Sequence, residues 1–220
     1  MISTLKSLIQ LIYPPHCLIC FQAGEELCKR CLLNWQQPVK YRKNLNIPYF
    51  FTNYYNSDGM KVILAAKENG NQTARRLLAC SIANSLTEAI DQLKLDTEIS
   101  LVTIPSRFSA IRKRGRDHIS ELAVEVIAMF GGRGIKISHQ NILHLIKQVK
   151  DQSNLNRSER IQNMNGAYLA TYPESATSNL IIIDDLITTG ASVHEAIRAL
   201  SIFNLRPVAI ITACAVNAHL

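Results

Sequence analysis

The sequence of 220 residues is poor in the features that mark several protein classes. It contains only 9 Gly, 7 Pro and 6% aromatic residues, while 47% of its residues are hydrophobic and 19% are charged. This composition excludes collagen-like, disordered and low-complexity chains. Its apolar stretches are broken by polar residues well before the roughly 20 residues that a membrane-spanning helix needs. The length therefore indicates one folded domain, with room for a small additional module.

Acidic residues are also few. The chain has 17 Asp and Glu against 24 Lys and Arg, which gives a net charge of +7. An excess of this sign favours polyanionic partners, namely nucleic acid, an acidic membrane surface or a phosphorylated ligand. The alternative is a surface charge that serves only solubility.

The N-terminal segment has no secretory signal pattern. Its apolar run is interrupted by Lys6 and Gln10, and no small-residue cleavage site follows. Helical spacing instead predicts an amphipathic helix, with a membrane-surface helix as the minor alternative. The apolar face of this helix comprises Leu5, Leu8, Ile9 and Ile12. We therefore expect a cytoplasmic protein.

Four of the 6 cysteines lie close together, as two C-x2-C pairs. The pairs are Cys17 with Cys20 and Cys28 with Cys31. Such pairs supply four thiolates for a tetrahedral structural zinc site, although an iron–sulfur cluster can use the same ligands. Disulfides are disfavoured in a chain without an export signal, and a redox pair would normally occur once.

The pattern along the chain predicts an α/β protein with a small metal-binding head. Residues 1–35 would hold the amphipathic helix and the four-Cys module, and residues 36–47 read as a polar, basic linker. In residues 48–220, apolar strand patterns alternate with helical patterns, one of which covers 72–93. This alternation predicts a mostly parallel sheet flanked by helices.

The strongest chemical signal is the string IIIDDLITTGAS at residues 181–192. A buried aliphatic strand leads to Asp184 and Asp185, and a Thr-Thr-Gly turn leads into a helix. Ligands of open α/β sheets bind at the carboxyl ends of the strands, and a turn at a helix N-terminus suits a phosphate monoester. Two carboxylates would repel a lone phosphate, but they can accept hydrogen bonds from a ribose diol. The alternative is an ordinary strand–helix connection with a capping residue.

This string resembles the motif of type I phosphoribosyltransferases that binds 5-phospho-α-D-ribosyl 1-pyrophosphate (PRPP). The resemblance implies that Asp184 and Asp185 contact the ribose 2′ and 3′ hydroxyls, and that the following turn wraps the 5′-phosphate. It also implies magnesium as the companion of PRPP. The residues of the implied phosphate turn are Thr188, Thr189, Gly190, Ala191 and Ser192.

The order of the other motifs resembles the ComF family of competence proteins. A four-Cys knuckle is followed by Lys-x-x-Gly at 67–70, by VTIPSR, by IRKRG and by a longer string before the PRPP motif. This longer string comprises Gln152, Leu155, Glu159, Arg160, Asn163, Gly166, Ala167 and Tyr168. The chain departs from the family at 114–118, where it reads Arg-Gly-Arg-Asp-His instead of the usual Arg-Gly-Phe-Asn-Gln.

A basic segment follows the predicted strand at 99–105. Its cations are Arg107, Arg112, Lys113, Arg114 and Arg116. By resemblance, Ser106 and Arg107 would line the pyrophosphate position, and the segment 109–116, with Arg112, Lys113 and Arg114, would form a lid or a nucleic-acid contact. A solvated loop without a ligand is the alternative.

Two functions agree with this pattern. The ComF resemblance implies a PRPP-binding protein that acts in DNA uptake during natural transformation, with single-stranded DNA on the basic segment and a helicase as a further partner. The alternative is a metabolic phosphoribosyltransferase that transfers ribose 5-phosphate to an unidentified nucleophile and has no role with DNA.

Overall fold

The computed structural model describes most of the chain between residues 14 and 216. The described ranges are 14–44, 47–96, 98–132, 134–147, 149, 156–173 and 179–216. The predicted amphipathic helix at the N-terminus falls on residues outside these ranges, and so do Gln152 and Leu155 of the ComF-like string.

Helices and strands alternate along the described residues, as the apolar pattern predicts. The helices are α1 (Lys29–Trp35), α2 (Ser57–Lys67), α3 (Gln72–Leu93), α4 (Phe108–Arg114), α5 (His118–Met129), α6 (Arg157–Met164) and α7 (Ala191–Ser201). The strands are β1 (Lys40–Asn44), β2 (Ile47–Tyr54), β3 (Ile99–Thr103), β4 (Ile137–Gln140), β5 (Leu143–Leu145), β6 (Tyr168–Ala170), β7 (Asn179–Ile187) and β8 (Pro207–Ala215). The helix predicted at 72–93 is confirmed as α3.

The main sheet confirms the predicted fold class. It has six strands in the order β1-β2-β8-β7-β3-β4. Only β1 runs antiparallel to its neighbour; the pairs β2–β8, β8–β7, β7–β3 and β3–β4 are parallel. Strands β5 and β6 form a separate antiparallel pair. The chain is thus an α/β protein with a mostly parallel sheet.

Helices cover both faces of the sheet because the central strands are apolar on both sides. Along β7, Ile181 and Ile183 belong to the core beneath α3 and α5, whereas Leu180 and Ile182 belong to the core beneath α7 and the β5–β6 pair. Alternate residues of a strand point to opposite faces, so a continuous aliphatic run is what a doubly covered strand requires.

The cysteine-rich head packs on the first of these cores. Trp35, at the end of α1, is buried, and its indole Nε1 donates a hydrogen bond of 3.0 Å to Ser81 Oγ on α3. Lys61 on α2 donates to the backbone oxygen of Ile19 at 2.6 Å. The head and the helices of this face therefore share one hydrophobic core.

Part of the segment 36–47, which the sequence predicts to be a linker, is the edge strand β1. Its backbone pairs with β2, the ring of Tyr41 lies 5.3 Å from that of Phe50, and Arg42 Nη2 donates to the Tyr54 hydroxyl at 3.0 Å. A strand at a sheet edge keeps one side in water and tolerates charge. The polar composition of β1 therefore resembles that of a linker. The division into domains at these residues stays a prediction.

Membrane spans were sought among the helices of the described residues. None of these helices is both long enough and apolar enough to cross a membrane.

The β5–β6 pair is held on α7 by a buried carboxylate. Glu195 Oε1 accepts the backbone N–H of Tyr168 at 3.1 Å, and both oxygens accept from the guanidinium of Arg198, at 2.7 and 2.8 Å. Arg198 also donates to the backbone oxygen of Tyr168 at 2.9 Å. Glu195 therefore fixes the position of Tyr168 relative to the start of α7.

We expect Glu195→Ala to destabilise the protein by about 2 kcal/mol, because it leaves the buried Tyr168 N–H and one face of Arg198 without an acceptor. Urea unfolding measures this loss. Burial alone would raise the pKa of Glu195, but the hydrogen bonds from Arg198 lower it overall. Folding then releases protons, so the contribution is present above the unfolded pKa of about 4.3 and disappears as the pH falls below it.

The matched control for this variant is Glu88→Ala on α3, whose carboxylate accepts a hydrogen bond from the exposed Gln92. It should change the free energy of unfolding by less than about 0.5 kcal/mol. Equal effects of the two substitutions, or a Glu195 effect that persists unchanged at low pH, would contradict the assigned role.

Candidate functional site

The four predicted metal ligands come together in the head. Cys17 and Cys20 lie on a tight turn, closed by a 2.8 Å bond from the Phe21 N–H to the Cys17 oxygen, and Cys28 and Cys31 lie at the start of α1. Their four sulfur atoms are all within 4.8 Å of one another.

The spacing of the sulfurs fits one ion. Cys20 Sγ and Cys28 Sγ are 3.7 Å apart. Zinc–sulfur bonds of about 2.3 Å in a tetrahedron place sulfurs about 3.8 Å apart. Burial alone would raise the pKa of Cys17, but backbone N–H groups aimed at its sulfur lower it to about 6. This donor set could hold a metal such as zinc.

The second candidate site lies at the carboxyl edge of the main sheet, where β3 and β7 end side by side. The chain leaves β3 through α4 and α5, on one face, and returns as β4; it leaves β7 through α7, on the other face, and returns as β8. Neighbouring strands whose connections leave to opposite faces open a crevice between them, and ligands of α/β sheets bind in such crevices. The topology thus places the predicted phosphate turn after β7, and Ser106 and Arg107 after its neighbour β3.

The predicted phosphate turn joins β7 to α7. Thr188 and Thr189 follow the strand, and Gly190 stands at the N-cap of α7 with a φ of +74°, a conformation that strains residues with a side chain. Thr189 Oγ1 accepts the Ala191 N–H at 3.4 Å. The turn therefore lies at the positive end of an eleven-residue helix, where an anion is favoured.

Asp184 and Asp185 lie within β7 and not after it, as the sequence suggested, because the strand continues to Ile187. Their Cβ atoms consequently leave the strand on opposite faces, but the two carboxyl groups still contact each other. Asp185 lies on the face of α2 and α5, where it is buried; Asp184 is half-buried on the other face. Asp184 Oδ1 accepts the backbone N–H of Asp185 at 2.9 Å.

The environment gives the two carboxyl groups different protonation behaviour. Burial and the charge of Asp185 raise the pKa of Asp184 well above its usual range. Burial alone would also raise the pKa of Asp185, but Lys67 and His118 outweigh it and hold this pKa well below its usual range. Asp184 is thus the member of the pair that takes up a proton first, and Lys67 beside Asp185 reduces the repulsion that the two acids would exert on a phosphorylated ligand.

Three residues of this site were not assigned to it from the sequence. Lys67 Nζ lies 3.3 Å and His118 Nε2 lies 3.5 Å from Asp185 Oδ2. On the opposite face, Tyr168 forms a hydrogen bond with Ser192 and lies near Asp184; burial and Asp184 raise the pKa of Tyr168 overall. Lys67 and Tyr168 belong to the ComF-like motifs, but nothing in their spacing indicates a carboxylate as the partner.

The basic segment forms a helix, α4, where the sequence suggests a loop. Residues 108–114 contain no Gly or Pro, and Gly115, with a φ of +70°, ends the helix in the left-handed conformation. The last turn holds Arg112, Lys113 and Arg114, where cations favour the helix dipole.

The cations of this segment are divided between interior and surface. The side chain of Arg114 is only 2% exposed and lies 3.5 Å from Glu68, and Arg116 pairs with Glu121 at 2.7 Å. Arg112 and Lys113 are exposed. Only part of the predicted positive loop is therefore open to a ligand, because Arg114 and Arg116 are committed to partners on α2 and α5.

Comparison with known proteins identifies a distant structural similarity. No protein-family model and no curated protein matches the sequence. Among solved structures, a hypoxanthine phosphoribosyltransferase from Staphylococcus aureus aligns with a TM-score of 0.33 and 12% identity, over 60% of this chain and 61% of that chain. The alignment spans less than two thirds of either protein, and a similarity at this level carries no information on ligand or activity.

Elemental analysis of the purified protein should find about one zinc ion per chain, held by the four thiolates. Cys20→Ala should lose most of the metal and lower the thermal stability, because the head depends on the ion and packs on the main core through Trp35. Cys80→Ala, which removes an exposed cysteine of α3, is the matched control and should keep both the metal and the stability. Iron with an iron–sulfur absorption band, or a Cys20→Ala variant that retains its zinc, would contradict the assignment.

Proposed function

We propose that this protein binds a 5-phosphoribosyl ligand, PRPP together with Mg²⁺, in the crevice between β3 and β7. The observation that carries the proposal is the placement of two carboxyl groups and a Thr-Thr-Gly turn on one strand–helix junction at a topological switch point. Ordinary helix capping needs only one such side chain, and it gives no reason to bury an ionised carboxylate beside it.

Each part of the crevice suits one part of this ligand. The turn from Thr188 to Ser192, at the positive end of α7, suits the 5′-phosphate. Asp184 and Asp185 lie near the carboxyl end of β7, which ends at Ile187, and would accept hydrogen bonds from the ribose hydroxyls. Ser106 and Arg107, at the end of the neighbouring strand, would line the pyrophosphate, whose charge Mg²⁺ neutralises when bound.

Binding and transfer are separate questions for this site. In a transfer, a nucleophile would form the bond to the anomeric carbon while the bond to pyrophosphate breaks and the pyrophosphate leaves with the electron pair. Release of pyrophosphate in the presence of candidate acceptors would identify the metabolic transferase; binding without release would favour a ligand-sensing role.

We further propose a cytoplasmic role in handling single-stranded DNA during natural transformation, as the ComF-like motif order implies, with a helicase of the uptake machinery as a partner. The supporting observation is the surface of α4. Phe108 is 75% exposed, and Arg112 follows it by one helical turn, beside the exposed Lys113. An exposed aromatic ring with neighbouring cations suits the stacked bases and phosphates of a single strand.

Calorimetric titration with Mg–PRPP should show binding to the wild type and a loss of at least about a hundredfold in affinity for Asp184→Ala/Asp185→Ala, because the hydrogen bonds of both carboxyl groups to the ribose hydroxyls are removed. The matched control is Asp91→Ala, which removes an exposed carboxylate of α3 and should leave the affinity unchanged. Absence of heat with the wild type, or equal affinities for wild type and double variant, would refute the site.

Binding of single-stranded DNA should weaken when Arg112→Gln/Lys113→Gln neutralises α4. The slope of log K against log salt should become shallower by about 1.4, since each lost phosphate contact on a single strand removes about 0.7. The control double variant is Lys136→Gln/Arg206→Gln, which neutralises two exposed cations that precede β4 and β8 at the opposite edge of the sheet. An unchanged slope for the α4 variant would exclude α4 from the DNA surface.

A further inference from the structure

The segment that departs from the ComF pattern, residues 114–118, makes specific contacts around the candidate site. Among the described residues, the buried side-chain nitrogen and oxygen atoms that lack a hydrogen-bond partner all belong to it, namely atoms of Arg114, Asp117 and His118. His118 is 1% exposed and neither ring nitrogen has a hydrogen-bond partner, yet its Nε2 faces Asp185 Oδ2 at 3.5 Å. A buried imidazole without partners is costly for stability, which indicates that it serves the site it faces.

Two side chains from different helices contact the same carboxylate oxygen of Asp185. Lys67 Nζ comes from the end of α2 and His118 Nε2 from the start of α5, at 3.3 and 3.5 Å from Oδ2. Neither contact uses Oδ1. The carboxylate is thus oriented through Oδ2, and it also contacts the carboxyl group of Asp184.

Arg116 holds the end of α2, which carries Lys67, in place. Its Nη2 donates to the backbone oxygens of Ala66 and Lys67, the latter at 3.1 Å, and its Nη1 pairs with Glu121 of α5 at 2.7 Å. The last carbonyls of α2 have no partner within the helix, so Arg116 satisfies them and ties α2 to α5. The departing segment therefore controls both groups that face Asp185: Arg116 through the position of Lys67, and His118 directly.

We propose that His118 is a positioning residue which, with Lys67, clamps Asp185 through Oδ2 so that Oδ1 points at a hydroxyl of a bound sugar phosphate. The inference deepens the proposed function and rests on it. The clamp sets the selectivity of the site for a polyhydroxylated phosphate, such as ribose 5-phosphate, over phosphate alone. The turn at 188–192 binds the phosphate group of either ligand, whereas the clamped carboxylate contributes only when a hydroxyl is present.

The clamp works by preorganisation. A carboxylate that can rotate must lose that freedom when it binds a hydroxyl, whereas one already held by contacts from two side chains does not. Asp184 is restrained in the same way, because its Oδ1 accepts the Asp185 N–H. Both carboxyl groups are therefore held through one oxygen each.

The test measures, by calorimetry, the affinities for ribose 5-phosphate and for inorganic phosphate, and takes their ratio. We expect the wild type to prefer ribose 5-phosphate, and His118→Ala to weaken that ligand by about tenfold with little change for phosphate, because the Asp185 carboxylate loses the contact that orients it towards the sugar hydroxyl. His118→Gln should restore the ratio to within about threefold of the wild type, since the amide N–H can donate to Asp185.

The matched control is His144→Ala on β5, whose imidazole Nε2 lies 3.4 Å from Thr171 and which should keep the wild-type ratio. Equal weakening of both ligands by His118→Ala would indicate general structural damage and would overturn the clamp, as would an unchanged ratio. If the wild type and His118→Ala prefer ribose 5-phosphate to the same extent, the clamp is refuted and the proposed function is retained. If the wild type binds neither ligand, both the clamp and the proposed function are refuted.

Discussion

The buried carboxylate of Asp185 is the constraint around which helices α2 and α5 are arranged at the carboxyl end of β7. A charge in this position is tolerated only with partners, and the partners come from two different helices, Lys67 from α2 and His118 from α5. The two helices must therefore meet at the carboxyl edge of β7. Arg116 and its bonds to the end of α2 and to Glu121 hold them there.

The same edge explains why two acids can stand next to a phosphate turn. Lys67 and His118 compensate the negative charge of Asp185. Burial and the charge of Asp185 raise the pKa of Asp184. The crevice can then present hydrogen-bonding groups to a sugar without the full repulsion of two negative charges. On the opposite face of the sheet, the buried Glu195 binds Arg198 and holds Tyr168 against the start of α7. Each side of the crevice is therefore stabilised by a buried carboxylate with a basic partner.

Much of the fold and half of the site could be predicted from the sequence. The aliphatic run of β7 and the 72–93 periodicity are local patterns whose physical meaning does not depend on the rest of the chain, and the C-x2-C spacing determines which thiolates can face one ion. The edge strand β1 was not predicted, because a half-solvated strand can have the composition of a linker. The helix α4 was not predicted, because five neighbouring cations suggest mutual repulsion. In the structure, Glu68, Glu121 and the helix dipole reduce this repulsion.

The sequence by itself determined the chemistry that is contiguous in the chain: the four thiolates, the adjacent acids and the Thr-Thr-Gly turn. Only the tertiary structure decided that Asp185 is buried while Asp184 is half-buried, that Lys67 and His118 converge on one oxygen, and that Arg114 is interior while Arg112 is not. The reason is that a local pattern records which groups are near in sequence. Contacts between residues separated by 118 positions, such as Lys67 and Asp185, depend on which strands neighbour each other and to which face each connection turns.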